Sequence, residues 1–231
     1  MVIKIASIIM NMNEIKAVIF DIDGTITPDI SWLAMTRDLG ASVEEHKTIF
    51  KAFKEGQISY ETSKEQLIKL WQETGHATRP KLENIFESWP IFPEAEELVS
   101  FLHNKGFYVA FITGSMNLYA KVMAKKFSVL DYYASGELIF DNEENLIDFH
   151  FPHDESHKKL EHLFEFCGKR SLEPHNIVVI GDSENDVGLF SETKKGIMVG
   201  IERPDTLRKV AWKEIDNLSE IKELLAPFLS N

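Results

Sequence analysis

Lys16-Ala17-Val18-Ile19-Phe20-Asp21-Ile22-Asp23-Gly24-Thr25 is the stretch on which the fold turns. After its lysine it stays apolar and mostly β-branched through Ile19 and Phe20, then stops at an Asp-x-Asp-Gly-Thr turn. A short continuous apolar run of this kind suits a strand buried on both faces. Phe107 to Ile112 repeats the pattern and ends at Thr113-Gly114-Ser115, and Ile177 to Ile180 repeats it again and ends at Gly181-Asp182-Ser183. Gly196-Ile197-Met198-Val199-Gly200 fits a further strand. Helical patterns stand between them, from Glu94 to His103 before Lys105-Gly106 and from Leu160 to Cys167 before Gly168. Strands alternating with helices require crossover connections, so the expected class is α/β with a mostly parallel sheet flanked by helices.

Two stretches depart from the alternation. Between Pro28 and Trp89 there is no strand pattern; apolar residues recur at helical spacing in Trp32, Met35 and Leu39, in Ile49, Phe50 and Phe53, and in Leu67, Ile68 and Trp71. Breakers at Gly40, Gly56 and Gly75-His76 divide this insertion of about 60 residues into short helices, enough for a small helical subdomain. The expected division is therefore residues 1–27 and 89–231 as a core and 28–88 as an insert standing over the strand ends. Glu137 to Phe140 and Leu146 to Phe149, separated by Asp141-Asn142-Glu143-Glu144-Asn145, read as a hairpin projecting from the sheet. The opening MVIKIASIIM, with Met10 and Met12 just before the first strand, reads as an extra edge strand or an upstream start. It is too short to span a bilayer and shows no cleavage signature.

Composition narrows the function. The 231 residues carry 25 Lys and Arg against 37 Asp and Glu, a net charge of −12 that repels nucleic-acid phosphates and anionic lipid. Neither nucleic acid nor a membrane is expected as a partner. The single cysteine, Cys167, in an apolar stretch, fits a packed thiol in a cytoplasmic chain. A monomer and a homodimer are both compatible with the sequence.

In a parallel sheet, ligands bind beyond the carboxyl ends of the strands, where all three polar stops fall. The first stop supplies Asp21 and Asp23, and the last supplies Asp182 and Asp186 within Gly181-Asp182-Ser183-Glu184-Asn185-Asp186. Four aspartates pressed together repel one another unless a hard cation neutralises them, and oxygen ligands with room for water and phosphate favour Mg²⁺. Thr113 adds a hydroxyl, Gly114 and Ser115 add open N–H groups, and Lys158 or Lys159 adds a positive charge at the start of a helix. Those are phosphoryl ligands. A carboxylate in such a setting can attack phosphorus while a neighbouring carboxyl group protonates the leaving oxygen. The loop Phe149-His150-Phe151-Pro152-His153-Asp154-Glu155-Ser156-His157 lacks the spacing of a two-histidine zinc helix and reads as a strand-to-helix connection.

Asp21-Ile22-Asp23-Gly24-Thr25, Thr113, the lysine and the Gly181 to Asp186 segment resemble, in order and spacing, the four motifs of haloacid dehalogenase superfamily phosphatases, and the helical insertion resembles the cap of their phosphoserine phosphatase-like branch. The resemblance spans the whole chain. It implies a Rossmann-like core with an inserted α-helical cap of the C1 type and a β-hairpin flap. It also implies that Asp21 is the nucleophile and that Asp23 is the general acid and later the base. Asp21, the backbone carbonyl of Asp23, and Asp182 would hold Mg²⁺, with Asp186 in support. Lys159, followed at helical spacing by Leu163 and Phe166, fits the family's phosphate-binding lysine better than Lys158, while Thr113, Gly114 and Asn185 would face phosphate or substrate.

The implied reaction is hydrolysis of a small phosphorylated metabolite through an aspartyl-phosphate. Phosphoserine phosphatases use a glutamate shortly after the first motif and a cap arginine to recognise their substrate. Here Ile30 stands at the glutamate's place and Lys64 near the arginine's, and lysine cannot form a bidentate clamp on a carboxylate. A phosphoserine phosphatase proper and a phospho-aspartate signalling or binding protein are the alternatives. A signalling receiver, however, has neither a cap nor an acid two residues after its phosphorylated aspartate.

Overall fold

The computed structural model describes residues 14–228. The opening MVIKIASIIM segment and Met12 lie outside them. The chain forms a seven-stranded sheet of β1 (Ala17–Phe20), β2 (Tyr108–Met116), β3 (Asp131–Phe140), β4 (Leu146–His150), β5 (Ile177–Gly181), β6 (Gly196–Met198) and β7 (Lys213–Glu214). The spatial order is β4-β3-β2-β1-β5-β6-β7, parallel throughout except for the antiparallel pair β3–β4.

β1 is central, and all four of its residues are buried. Its side chains alternate between two cores, as the twofold period of a strand requires. Val18 and Phe20 join one apolar cluster, while Ala17 and Ile19 join the other. A strand that packs helices on both faces has no polar face, which accounts for the unbroken apolar run.

The chain leaves β1 into four helices, α1 (Ser31–Asp38), α2 (Val43–Lys54), α3 (Tyr60–Gln72) and α4 (Arg79–Ser88), before α5 (Pro93–Asn104) returns it to the sheet. Three of the four were expected from their apolar spacing; α4, opened by Arg79-Pro80, was not. The Phe92 N–H donates to the Ile26 carbonyl at 2.8 Å, so the insertion leaves and re-enters the sheet at one place. Further along, α6 (Asn117–Lys126) follows β2, α7 (Glu155–Arg170) precedes β5, α8 (Val187–Thr193) follows it, and α9 (Asp205–Arg208) and α10 (Ile221–Leu225) complete the chain.

The hairpin forms at the expected residues, with Leu138 opposite Phe149, and its pairs lie beyond Gly136, the last residue of β3 that pairs with β2. β3 begins at Asp131 and pairs in parallel with β2 from Ala110↔Asp131 onward, so the hairpin continues an edge strand. The polar and Gly-containing segment Asp131-Tyr132-Tyr133-Ala134-Ser135-Gly136 lacks a continuous apolar run because Tyr132 is exposed and Ser135 half-buried. The hairpin is also fastened to the insertion. Gln72 Nε2 donates to the Leu146 carbonyl at 2.9 Å, the Leu146 N–H donates to the Ala77 carbonyl at 2.8 Å, and Lys64 pairs with Asp148 at 3.0 Å. Cys167 is buried, and burial pushes its thiol up to about 11, which fits the packed reading. Among the described residues no helix is long and apolar enough to cross a membrane.

Candidate active site

β1 lies in register between β2 and β5, with Phe20 opposite Phe111 and Ile180, so Asp21, Thr113 and Asp182 converge at the carboxyl end of β1. Gly24 makes the turn after β1 at φ +72°, and a Cβ there would stand 2.2 Å from Asp182 Oδ2. Glycine is therefore needed twice, for the left-handed backbone and for the space.

Carboxylate oxygens of Asp21, Asp182 and Asp186 lie within 4.8 Å of one another, and all three side chains are buried. Lys159 enters this cluster from α7 and is fully buried; its Nζ donates to Asp21 Oδ2 at 2.8 Å and to Asp186 Oδ1 at 2.7 Å. Burial alone would lower its pKa, but the Asp186 and Asp21 charges hold it above the usual lysine value. Lys158, one residue earlier, points away and pairs with Glu161 at 2.7 Å on the surface. The other oxygen of Asp21, Oδ1, accepts the Ile22 N–H at 2.7 Å.

The charge balance tests whether a cation belongs here. One ammonium faces three carboxylates. Burial, reinforced by the Asp21 charge, pushes Asp182 up to about 7, although its Oδ2 accepts the N–H groups of Ile201 and Glu202. Burial also raises Asp186, against the opposing pull of Lys159. Carboxylates this close, with so little compensation, fit a hard divalent ion with oxygen ligands.

Asp23 has a different environment. Its side chain turns from the cluster to the start of α1, where Oδ2 accepts both the N–H of Ser31 at 2.9 Å and the Ser31 hydroxyl. That hydroxyl also meets the hydroxyl of Ser115 from the end of β2. Asp23 Oδ1 is buried without a hydrogen-bond partner among the described residues. Burial pushes Asp23 up to about 7; the Ser31 hydrogen bonds oppose that rise and the Asp21 charge adds to it. Thr113 does not end β2 as expected but lies within it, and its Oγ1 accepts the Ser115 N–H at 3.1 Å where the register against β3 shifts between Thr113 and Met116.

Gly114 allows a second close approach. A Cβ there would meet Glu155 Oε2 at 2.5 Å and Asn185 Nδ2 at 3.2 Å, the two groups that bond to each other at 3.2 Å. Asp21, Asp23, Thr113, Gly114, Lys159, Asp182, Asn185 and Asp186 thus gather at one site, whereas Lys158 and Lys64 do not join it. Ser31, the Ser115 hydroxyl and Glu155 were not foreseen. Glu155 carried a signal, since it stands four residues before Lys159 on one helix face. Ser31 carried none, because its contact depends on how the loop after β1 folds.

Above the aspartates lies a cavity of about 550 Å³ between the sheet edge and the insertion. Asp21, Asp23, Thr113 and Gly114 form part of its floor, and Ile30, Trp32, Phe50 and Phe53 are among its walls. The apolar aromatic residues of the insertion divide: Trp71 is wholly buried, whereas Trp32, Phe50 and Phe53 line the cavity. Lys64, held by Asp148, is not among the lining residues.

An apolar parallel sheet that ends in an aspartate cluster bridged by a buried lysine defines a class. The chain matches the haloacid dehalogenase-like hydrolase family over residues 15–191 and belongs to it. It is a hydrolase of the phosphatase type, and its relatives lie in the phosphoserine phosphatase-like branch. A phosphoserine phosphatase of Methanocaldococcus jannaschii is 25% identical over 77% of this chain and 82% of its own length. One from Archaeoglobus fulgidus is 23% identical over 86% of this chain, which spans 56% of that longer protein. A solved structure of a phosphoserine phosphatase, as a phospho-aspartyl intermediate analogue, shares the fold with a TM-score of 0.70 at 23% identity, covering 91% of this chain and 99% of its own.

Proposed function

We propose that this protein is a Mg²⁺-dependent phosphomonoester hydrolase of the cytoplasm that acts on a small phosphorylated metabolite through an aspartyl-phosphate on Asp21. The observation that carries the proposal is the Lys159 bridge between Asp21 and Asp186 beneath the cavity. It fixes a carboxylate at the cavity floor beside a cation that can bind phosphoryl oxygens. The insertion over residues 28–88 serves as the cap, and residues 27 and below together with 89 and above form the catalytic core.

Asp21, the main-chain carbonyl of Asp23, and Asp182 would hold the metal, with Asp186 in direct or water-mediated support. Mg²⁺ bound there neutralises carboxylate and phosphoryl charge. A carboxylate oxygen of Asp21 forms a bond to phosphorus as the bond from phosphorus to the ester oxygen breaks. Asp23, half-buried and with its carboxyl pushed up to about 7 by desolvation, gives its proton to the leaving alcohol. Both Ser31 hydrogen bonds go to Oδ2, which leaves Oδ1 as the oxygen suited to that transfer. In the second half, Asp23 takes a proton from water, the water oxygen bonds to phosphorus, and the bond to Asp21 breaks to release phosphate. Lys159, Thr113 and the Gly114 backbone hold the phosphoryl oxygens, and Asn185 faces the substrate. The cap limits bulk water during the exchange.

The test is release of p-nitrophenol from p-nitrophenyl phosphate with Mg²⁺, after chelation, and after Mg²⁺ is restored. Release that is lost on chelation and returns with Mg²⁺ is expected. Metal-independent release, or none under any condition, contradicts the proposal.

A further inference from the structure

The walls of the cavity say more about the substrate than its floor does. Trp32, Phe50, Phe53, Tyr60, Phe149 and Phe151 line it, contributed by α1, α2, α3 and the segment through β4. They pack in two groups, Trp32 with Phe149 at 5.3 Å and with Phe151 at 5.8 Å between ring centroids, and Phe53 with Tyr60 at 5.9 Å and with Phe50 at 6.4 Å. Ile30 and Phe50 line the cavity while themselves exposed, which leaves apolar surface uncovered.

Apart from the Trp32 indole N–H, which is buried without a hydrogen-bond partner among the described residues, the buried polar side chains of the same walls are already engaged. His46 Nδ1 bonds to Thr36 Oγ1 at 2.7 Å, and the Ser63 hydroxyl donates to the Tyr60 carbonyl at 2.7 Å. Outside the aspartate cluster, the charged lining residues are Glu155, tied to Asn185, and the exposed Lys47, Lys51, Glu184 and Glu202. Lys47 and Lys51 pair with Glu44 and Glu55 on their own helix. A zwitterionic leaving group would be desolvated against these walls with no buried charged partner for its ammonium or carboxylate, at a cost no aromatic contact recovers. An aromatic ring would meet edges and faces at the separations rings prefer.

We infer that the substrate is a phosphomonoester of a bulky apolar primary alcohol bearing an aromatic ring, not of an α-amino acid. The inference rests on the phosphatase reading of the floor and adds the identity of the group above it. A cavity of about 550 Å³ is also of a size that takes a larger organic group.

The experiment compares 2-phenylethyl phosphate with phosphoserine, both esters of primary alcohols, so that recognition and not leaving-group acidity dominates. Binding of an arylalkyl phosphonate and of an amino-acid phosphonate is measured in parallel by calorimetry. The arylalkyl ester should have a kcat/KM at least about tenfold higher, the scale of apolar-pocket discrimination, and its phosphonate should bind tighter by a similar factor. Phe50→Ser and, separately, Ile30→Glu, both at exposed positions, should each shrink that ratio several-fold. Hydrolysis of both esters with phosphoserine equal or preferred overturns the inference and leaves the phosphatase reading standing. Tighter binding of the arylalkyl phosphonate with neither ester hydrolysed supports the ligand class and overturns the hydrolase reading. Failure of both phosphonates to bind overturns the inference outright.

Discussion

Ser31 moderates the proton affinity that burial gives Asp23. Two of its groups donate to one carboxylate oxygen, and both contacts favour the ionised form. Removing the hydroxyl in Ser31→Ala leaves burial less opposed, so the Asp23 pKa rises from about 7. A general acid works while protonated, and its activity is lost as pH rises through its pKa. The alkaline limb of kcat for a poor leaving group should therefore move to higher pH in Ser31→Ala, as a pH–rate profile would show. An unmoved limb, or one moved to lower pH, would remove Asp23 from the role. Nothing in the sequence near Ser31 announced this contact. Asp21, Asp23, Asp182 and Asp186 were legible because strand ends in a parallel sheet place polar stops together, whatever the intervening chain does. Lys159 was separable from Lys158 because only its register continues into buried Leu163 and Phe166.

At the scale of elements, the turn after β1 is the least tolerant part of the molecule. Gly24→Ala would strain a backbone at φ +72° and drive a methyl into Asp182. Activity should fall at least about a hundredfold, with the Mg²⁺ concentration for half-maximal rate raised, since misplacement of about an ångström costs that much. A Gly24→Ala enzyme with normal Mg²⁺ dependence would contradict this placement of the metal ligands.

The helical insertion has its own sensitivity, in a buried histidine between α1 and α3. His46 bonds to Thr36, packs against Trp71 at 5.9 Å, and is lowered by burial from 6.5 to about 4. The unfolded chain takes up this proton below about 6.5, and the folded chain only below about 4. Stability is therefore fully present above the first value and lost as pH falls toward the second, by up to about 3 kcal/mol. Denaturant unfolding of the wild type and His46→Gln across that window should show the wild type's advantage shrinking as pH falls; parallel curves would refute it. The helices α1 to α3 were legible from apolar spacing, whereas α4 and the first half of β3 were not. Arg79-Pro80 reads as a breaker although proline is tolerated in a first helical turn, and β3 is an outer strand with exposed Tyr132, so its pattern is diluted.

For the whole molecule, one relation joins charge, metal and stability. The buried aspartates repel in the folded state and separate on unfolding, so a cation that binds only the folded site stabilises the protein. Saturation at a hundred times the dissociation constant contributes about 2.7 kcal/mol. Thermal unfolding should shift upward with Mg²⁺, and the shift should vanish in Asp182→Asn; an equal shift in that variant would place the ion elsewhere.

The most direct measurement traps the phosphoryl group on the enzyme. The Asp23→Asn protein, slowed in hydrolysis of the intermediate, is mixed with an activated aryl phosphate and Mg²⁺, quenched in acid, reduced with borohydride and mapped by peptide mass spectrometry. Conversion of Asp21 to homoserine is the expected result. Conversion of another carboxylate, or burst release of the phenol with no modified residue, would contradict an aspartyl-phosphate on Asp21.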